Sequence, residues 1–528
     1  MTDTQVQSVT PRSSARLPSI GALVGFLALG TGVVLLAVNN LGNRYFWTDE
    51  SSSLYTALGW PGVGDRAGSL AGAWNWTIDT HVEPGLYNML ERFWALGVGT
   101  GIETLRVYPF LFFLIYLASL IGVGRLLRLP WFLIAGVLGL VLLENITPYY
   151  TVELRPSSAG LAASVALPFL GLMLLKWTHK GVLVVFLAGF VLIGSMQYNS
   201  YPIEAAVGIV LIAFGLLTPL RSQRLMAIGA GAFAVFYLPV LYVVTRGNPL
   251  GVAQEPGLEA ISGLLIPNME TSEVLRLLQQ NLFSFTALPR TVFLVMVPVL
   301  WLVGRWAKPW HRPEHGTQAV NQVWLFVLTA TLGSAGIGFL GVMPWIVGTR
   351  WSIAEVGLIA VSFIGTGSII VQLGLLRIKP VAVLAVAASV GLALAGSYRL
   401  ATYERFPGYD WNTALTEILE GTPGKAVVDT KIYPNLRYWV ELSGDYDQFR
   451  SAWIDHRIQT TSDFYSADAS SIEEFLASDN EYLLLGDASL LEGSGVRLPA
   501  DVTVRQVPVW GAYDGITPPQ PVLIIRPS

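Results

Sequence analysis

Apolar runs long enough to cross a bilayer recur through the first three quarters of the chain, and no other feature limits its fold so strongly. Lipid offers no water to backbone N–H and C=O groups, so such a run must satisfy its own hydrogen bonds as a helix. Runs at 19–40, 105–124, 130–147, 157–175, 181–197, 203–220, 225–245, 290–304, 321–342, 352–376 and 380–398 predict about eleven transmembrane helices. The 130–147 and 290–304 runs are short and call for little tilt or locally thinned lipid. With 53% hydrophobic residues and only 13% charged ones, a purely soluble protein is excluded.

Charge divides the chain in two. Residues 1–398 carry 22 basic and 17 acidic side chains, whereas residues 399–528 carry 10 and 19. The overall net charge of −4 gives no basic excess for neutralising nucleic-acid phosphates. Cysteine is absent, so disulfides, thiolate metal sites and thiol nucleophiles are excluded by inventory.

Basic residues resist translocation and collect in cytoplasmic loops. Arg12, Arg16, Arg125, Arg128, Lys176, Lys180, Arg221, Arg224, Arg305, Lys308, Arg312, Arg377 and Lys379 all fall on one side if the N-terminus is inside. Residues 1–18 then form a disordered cytoplasmic tail and 19–398 a transmembrane module. The outer side receives the long loops 41–104 and 246–289 and the acidic tail 399–528. In that tail, short β-branched and aromatic runs at 426–429, 482–486 and 521–525 alternate with helical stretches at 411–420 and 471–478, the pattern of a small α/β domain. Its aromatics Trp411, Tyr433, Tyr438, Trp439, Trp453 and Trp510 suit either sugar stacking or a small core, and core is the expectation for most. The fold class is thus a polytopic α-helical membrane protein with a C-terminal extracytoplasmic α/β domain.

Three constellations fall on the outer side. The first apolar run ends in Arg44-Tyr45-Phe46-Trp47-Thr48-Asp49-Glu50, placing adjacent carboxylates at the membrane surface. The loop they open contains His81, Glu83, Pro84, Tyr87 and Glu91, and its stretches 51–59, 68–77 and 84–97 have the spacing of helices lying on the membrane. The second constellation is Tyr149-Tyr150-Thr151-Val152-Glu153-Leu154-Arg155-Pro156. Glu153 and Arg155 suit either a buried ion pair or phosphate recognition through the planar guanidinium fork. The third is Arg350, either a snorkelling anchor or a further phosphate ligand.

Asp49-Glu50, then His81-x-Glu83-Pro84-x-x-Tyr87, then Tyr150-x-x-Glu153-x-Arg155-Pro156 resembles the GT-C glycosyltransferases. The likeness is closest to the bacterial relatives of the dolichyl-phosphate-mannose protein mannosyltransferases (glycosyltransferase family 39-like), including the lipid A aminoarabinose transferases. The resemblance implies an enzyme of GT-C fold that moves a sugar from a polyprenyl-phosphate carrier to an extracytoplasmic glycan, lipid or protein. It also implies Asp49 as general base beside Glu50, and it places the family's Glu-x-Arg motif on Glu153 and Arg155. Tyr55 stands further from Asp49-Glu50 than the family's tyrosine, and Ser157 replaces the aromatic that commonly follows Arg-Pro.

Inverting transfer needs one carboxylate to take the acceptor's proton and cations to steady the departing phosphate. Asp49 suits the first role and Arg155 with Arg350 the second, with His81, Glu83, Tyr87, Tyr150 and Glu153 binding substrate. Asp49, Glu50, His81 and Glu83 would suit a divalent cation, but their spacing matches no metal signature and a lipid-phosphate donor needs no diphosphate-chelating ion. No cofactor is therefore required, and a divalent cation remains the alternative. Two other classes stay open: a transporter or flippase of a lipid-linked or anionic solute, for which Glu204 and Glu355 are the acids near helix ends, and a non-catalytic cell-envelope assembly subunit.

Overall fold

The computed structural model describes residues 16–42, 48–58, 69–71, 74, 85–143, 146–177, 179–197, 200–217, 221–246, 353–372, 374–403, 416, 426–428, 433–443, 459–460, 469–477, 482–485, 496–506 and 523–527. Its helices are α1 (Arg16–Asn40), α2 (Thr48–Leu58), α3 (Leu86–Gly97), α4 (Ile102–Leu126), α5 (Trp131–Leu142), α6 (Ile146–Thr151) and α7 (Pro156–Lys176). They continue with α8 (Lys180–Gly194), α9 (Tyr201–Leu217), α10 (Arg221–Arg246), α11 (Ile353–Gln372), α12 (Lys379–Ala401), α13 (Tyr433–Glu441) and α14 (Ala469–Leu476). Eight of the eleven expected runs each overlap one of these helices, 130–147 falls on two, and 290–304 and 321–342 lie outside the described residues.

Among the described residues, four helices are long and apolar enough to cross a membrane: Pro18–Asn40 within α1, then α4, α7 and α12. Trp131–Leu142, Lys180–Gly194 and Ile203–Leu216 are apolar but shorter. The chain is a multi-pass membrane protein. The expected 130–147 run requires correction: α5 stops at Leu142, and Ile146–Thr151 forms a separate short helix. Pro148 sits inside that second helix, and Glu144-Asn145 breaks the apolar pattern between the two. The last apolar helix also runs three residues past 398, to Ala401.

The chain divides into two compact units. One comprises Met1–Leu36, Phe113–Pro148 and Gly160–Thr402; the other comprises Ala37–Phe112, Tyr149–Ala159 and Tyr403–Ser528. In the first unit, helices approach through small residues, which lets backbones meet where lipid provides no hydrophobic drive for association. A Cβ added at Gly139 of α5 would strike the backbone of Leu392 and Ala393 in α12, and one at Gly396 would strike Gly139. Gly208 of α9 and Gly231 of α10 oppose each other in the same way. Leu167, Phe186, Phe190, Ile203, Leu211 and Ala234 form a buried apolar core. Large apolar side chains such as Leu27, Val184, Phe236 and Leu384 remain exposed, as lipid-facing positions do.

The second unit holds a five-stranded sheet of β1 (Ala426–Val428), β2 (Gln459–Thr460), β3 (Tyr482–Leu485), β4 (Val502–Gln506) and β5 (Leu523–Pro527), in the order β2-β1-β3-β5-β4. β1 pairs in parallel with β2 and β3, while β5 pairs antiparallel with β3 and β4. Each parallel step needs a crossover, and α13 and α14 occupy those segments of the chain. Ile472 and Phe475 of α14 pack with Leu483 and Ile525 of the central strands. The described parts of the tail are these short strands and helices, and the expected helix at 411–420 lies almost wholly outside the described residues.

Candidate functional site

Two motifs far apart in sequence meet in the second unit. The helix α2 begins Thr48-Asp49-Glu50, so two acidic residues belong to its first turn, where the positive end of the helix dipole favours anions. Almost all of its described side chains are buried, including the polar Glu50, Ser51, Ser53 and Thr56. Buried polar groups require partners. Neighbouring elements supply them.

Glu50 is fully buried. Its Oε1 accepts the backbone N–H of Leu154 at 3.0 Å, and its Oε2 lies 3.8 Å from Arg106 Nη2. Arg106, also fully buried, donates through Nη1 to the Asn40 carbonyl at 3.0 Å, where a cation complements the C-terminal end of α1. Asn40 Nδ2 donates in turn to the Tyr403 carbonyl at 2.8 Å. The Asp-Glu turn is thereby fixed to the Glu153-Leu154-Arg155 turn and to the base of α4.

The helix α3 buries a face made of Tyr87, Asn88, Glu91 and Ala95. Ser53 Oγ on α2 lies 2.9 Å from Glu91 Oε2 and 3.4 Å from Asn88 Oδ1. Arg92 Nη1 donates to the Ala57 and Leu58 carbonyls at 3.0 and 2.8 Å, capping the last turn of α2 with a cation. Burial holds the Glu91 carboxyl well above the usual carboxylate range; the negative Glu50 pushes the same way, and the Ser53 hydrogen bond only partly opposes it. Burial likewise raises the Tyr87 phenol, with Tyr108 and the carboxyls of Glu91 and Glu153 adding to the effect and Ser158 opposing it.

The second motif forms a tight turn. Arg155 N–H donates to the Glu153 carbonyl at 2.7 Å, and the Arg155 carbonyl accepts from both Ser158 Oγ and Ser158 N–H at the start of α7. Glu153 is fully buried and Arg155 half-buried. Tyr150 is buried edge-on against Tyr149. Tyr87 packs in an aromatic cluster with Tyr108 and Phe112, and its carbonyl accepts from Tyr108 OH at 3.1 Å.

The tail reaches this group of residues directly. On α13, the Arg437 guanidinium lies over the Tyr55 ring of α2 at 5.4 Å, and Tyr438 OH donates to the Thr100 carbonyl at 3.1 Å. Thr100 Oγ1 returns a bond to the Leu442 carbonyl at 3.0 Å. Tyr438 and Trp439 are buried, so these two aromatics serve packing rather than presenting a surface for sugar stacking.

Of the site residues expected from sequence, Glu50, Tyr87, Tyr150, Glu153 and Arg155 belong to this unit. The backbone of Asp49 is the second residue of α2, while its side chain lies outside the description. His81, Glu83 and Arg350 lie outside the described residues. Glu50, expected to act with Asp49 in catalysis, is buried between Arg106 and the Leu154 N–H. The structure adds Arg106, Ser53 and Asn88, which sequence reading did not single out. One signal was available: Arg106 is an Arg inside an apolar run, and such a charge usually faces a protein interior.

No protein-family model matches the chain, and no curated protein matches it. Solved structures do. One is the Archaeoglobus fulgidus oligosaccharyltransferase in complex with zinc and sulfate, at 11% identity over 88% of this chain and 68% of that chain, with a TM-score of 0.46. A second is ArnT from Cupriavidus metallidurans bound to undecaprenyl phosphate, at 13% identity over 95% of this chain and 97% of that chain, with a TM-score of 0.49. The apo state of the same ArnT matches at 12% identity over the same shares, with a TM-score of 0.48.

Proposed function

We propose that the chain is a membrane glycosyltransferase that moves a sugar from a polyprenyl-phosphate carrier to an acceptor outside the cytoplasmic membrane, inverting the anomeric centre. One observation supports this above the others: Glu50 holds the Asp49-bearing turn against the Glu153-Leu154-Arg155 turn. A carboxylate motif and a guanidinium motif are thereby joined in one compact unit.

In this reading Asp49 takes the proton of the acceptor nucleophile as that atom bonds to the anomeric carbon. The bond from the anomeric carbon to the phosphate oxygen breaks, and the carrier leaves as polyprenyl phosphate with the bonding pair on oxygen. Arg155, and Arg350 with it, compensate the charge gathered on that phosphate. A phosphate so compensated leaves without a proton, and no second carboxylate is required as acid. Glu50 and Arg106 form a closed ion pair whose part is to fix the first turn of α2. In the same reading Tyr87, Tyr150, Glu153, His81 and Glu83 are the residues that bind substrate. The N-terminus is cytoplasmic, and the tail domain lies on the outer side with the reaction.

The test uses full-length protein in nanodiscs supplied with a radiolabelled polyprenyl-phosphate sugar. Asp49→Asn should abolish transfer while leaving the protein folded. Near-normal turnover in that variant removes Asp49 from the mechanism.

A further inference from the structure

The unit built from the apolar helices contains a buried carboxyl that sugar transfer does not use. Glu204 lies in the first turn of α9 and is fully buried. Gly194, the last residue of α8, stands directly against it, and a Cβ added there would overlap Glu204 Oε1. Ser200 Oγ lies 3.0 Å from that oxygen, 2.7 Å from the Gln197 carbonyl and 3.4 Å from the Gly194 carbonyl. Glu204 Oε2 makes no hydrogen bond among the described residues.

A serine hydroxyl carries one hydrogen. Here three oxygens compete for it, and the Gln197 carbonyl is nearest. Were Glu204 ionised, its oxygens and both carbonyls would all be acceptors facing that one donor, with a full negative charge buried among apolar helices. Dipoles do not rescue the anion, because the N-terminus of α9 favours it and the C-terminus of α8 opposes it. Among the described residues, Tyr237 of α10, whose hydroxyl is bonded to Ser195 Oγ, is a titratable group that feels Glu204. Lys180 opens α8, whose other end is Gly194; Arg221 and Arg224 lie in the first turn of α10, more than a dozen residues before Tyr237, and Arg246 closes that helix.

We propose that Glu204 is a proton-binding site of the membrane module, a neutral carboxylic acid that donates to Ser200 and ties α8 to α9. With the proton on Oε1, the carboxyl donates to Ser200 Oγ and Ser200 donates to the Gln197 carbonyl. Each hydrogen then has an acceptor, and the remaining carboxyl oxygen is a neutral carbonyl, far cheaper to bury than a charge. Loss of the proton at alkaline pH would place an uncompensated anion between the two helices and loosen their junction. The inference is independent of the transferase reading.

Infrared difference spectroscopy of the full chain in nanodiscs at neutral pH tests it. Subtracting Glu204→Gln from wild type should reveal the C=O stretch of a protonated carboxylic acid, and Ser200→Ala should move that band to higher frequency by removing its hydrogen-bond acceptor. Appearance of carboxylate stretches in the wild-type-minus-Gln difference overturns the proposal. If Glu204→Gln fails to fold, Ser200→Ala alone decides: a shifted acid band supports the assignment, and an unshifted spectrum sinks it.

Discussion

Glu50 Oε1 accepts the backbone N–H of Leu154 at 3.0 Å, joining residues 104 positions apart. The bond puts the start of α2 and the turn before α7 in one structure, with the second carboxylate oxygen facing Arg106. A side chain already committed on both oxygens makes a poor proton acceptor, which is why the transferase reading gives that task to Asp49 and not to Glu50.

Removing one member of the buried Glu50–Arg106 pair strands the other's charge or donors. Glu50→Gln keeps an acceptor for Leu154 but removes the negative charge facing the buried guanidinium, at an expected cost of about 3 kcal/mol. Glu50→Gln with Arg106→Met should regain part of that loss. Thermal unfolding in detergent for both singles and the double variant measures the coupling, and simple additivity would show that the pair does not interact.

Glu91 predicts a stability that depends on pH in a stated direction. Its folded-state pKa is raised by burial and by Glu50, so folding favours the protonated form. The stabilisation is complete below the unfolded pKa of about 4.3. It is lost as pH rises from there through the folded value. Glu91→Gln should flatten the melting temperature across that window, leaving the variant more resistant than wild type at alkaline pH. A parallel decline in both proteins would assign the effect elsewhere.

Arg155 is half-buried and adjoins the Glu50-bound turn. Under the transferase reading, Arg155→Ala should lower kcat/KM for the polyprenyl-phosphate sugar by about 100-fold, the order seen when one donor to a developing charge is removed. Arg155→Lys should recover part of it, since a point charge replaces a fork. Unchanged kinetics with the Ala variant would exclude Arg155 from phosphate binding.

The crossing of α5 and α12 has no room for a side chain at Gly139. Gly139→Leu should lower the melting temperature sharply, overpacking being worth about 1–3 kcal/mol or more where backbone is struck. Gly391→Leu on the same pair of helices is the control, because nothing lies within 4 Å of its Cβ position. Equal effects of the two substitutions would refute the close approach.

Tyr438→Phe removes the hydroxyl bond to Thr100 without changing the buried ring. A loss of about 1 kcal/mol is expected from one neutral hydrogen bond. Limited proteolysis of the tail should speed up in step with it; an unchanged cleavage rate would mean that this bond does not hold α13 in place.

The helices and the composition of the tail were legible in the chain itself because their causes are local. Twenty apolar residues must become a helix in lipid wherever they occur, and short β-branched runs between turn residues make strands, as β1, β3 and β5 show. The stop of α5 at Leu142 was less visible, since hydropathy averages across the polar Glu144-Asn145 step. What tertiary structure alone decided is pairing. Nothing within the sequence around Glu50 names Leu154 or Arg106 as its partners, and nothing around Ser53 names Glu91. Those contacts depend on where helices far apart in the chain are brought together, which no local run of residues encodes.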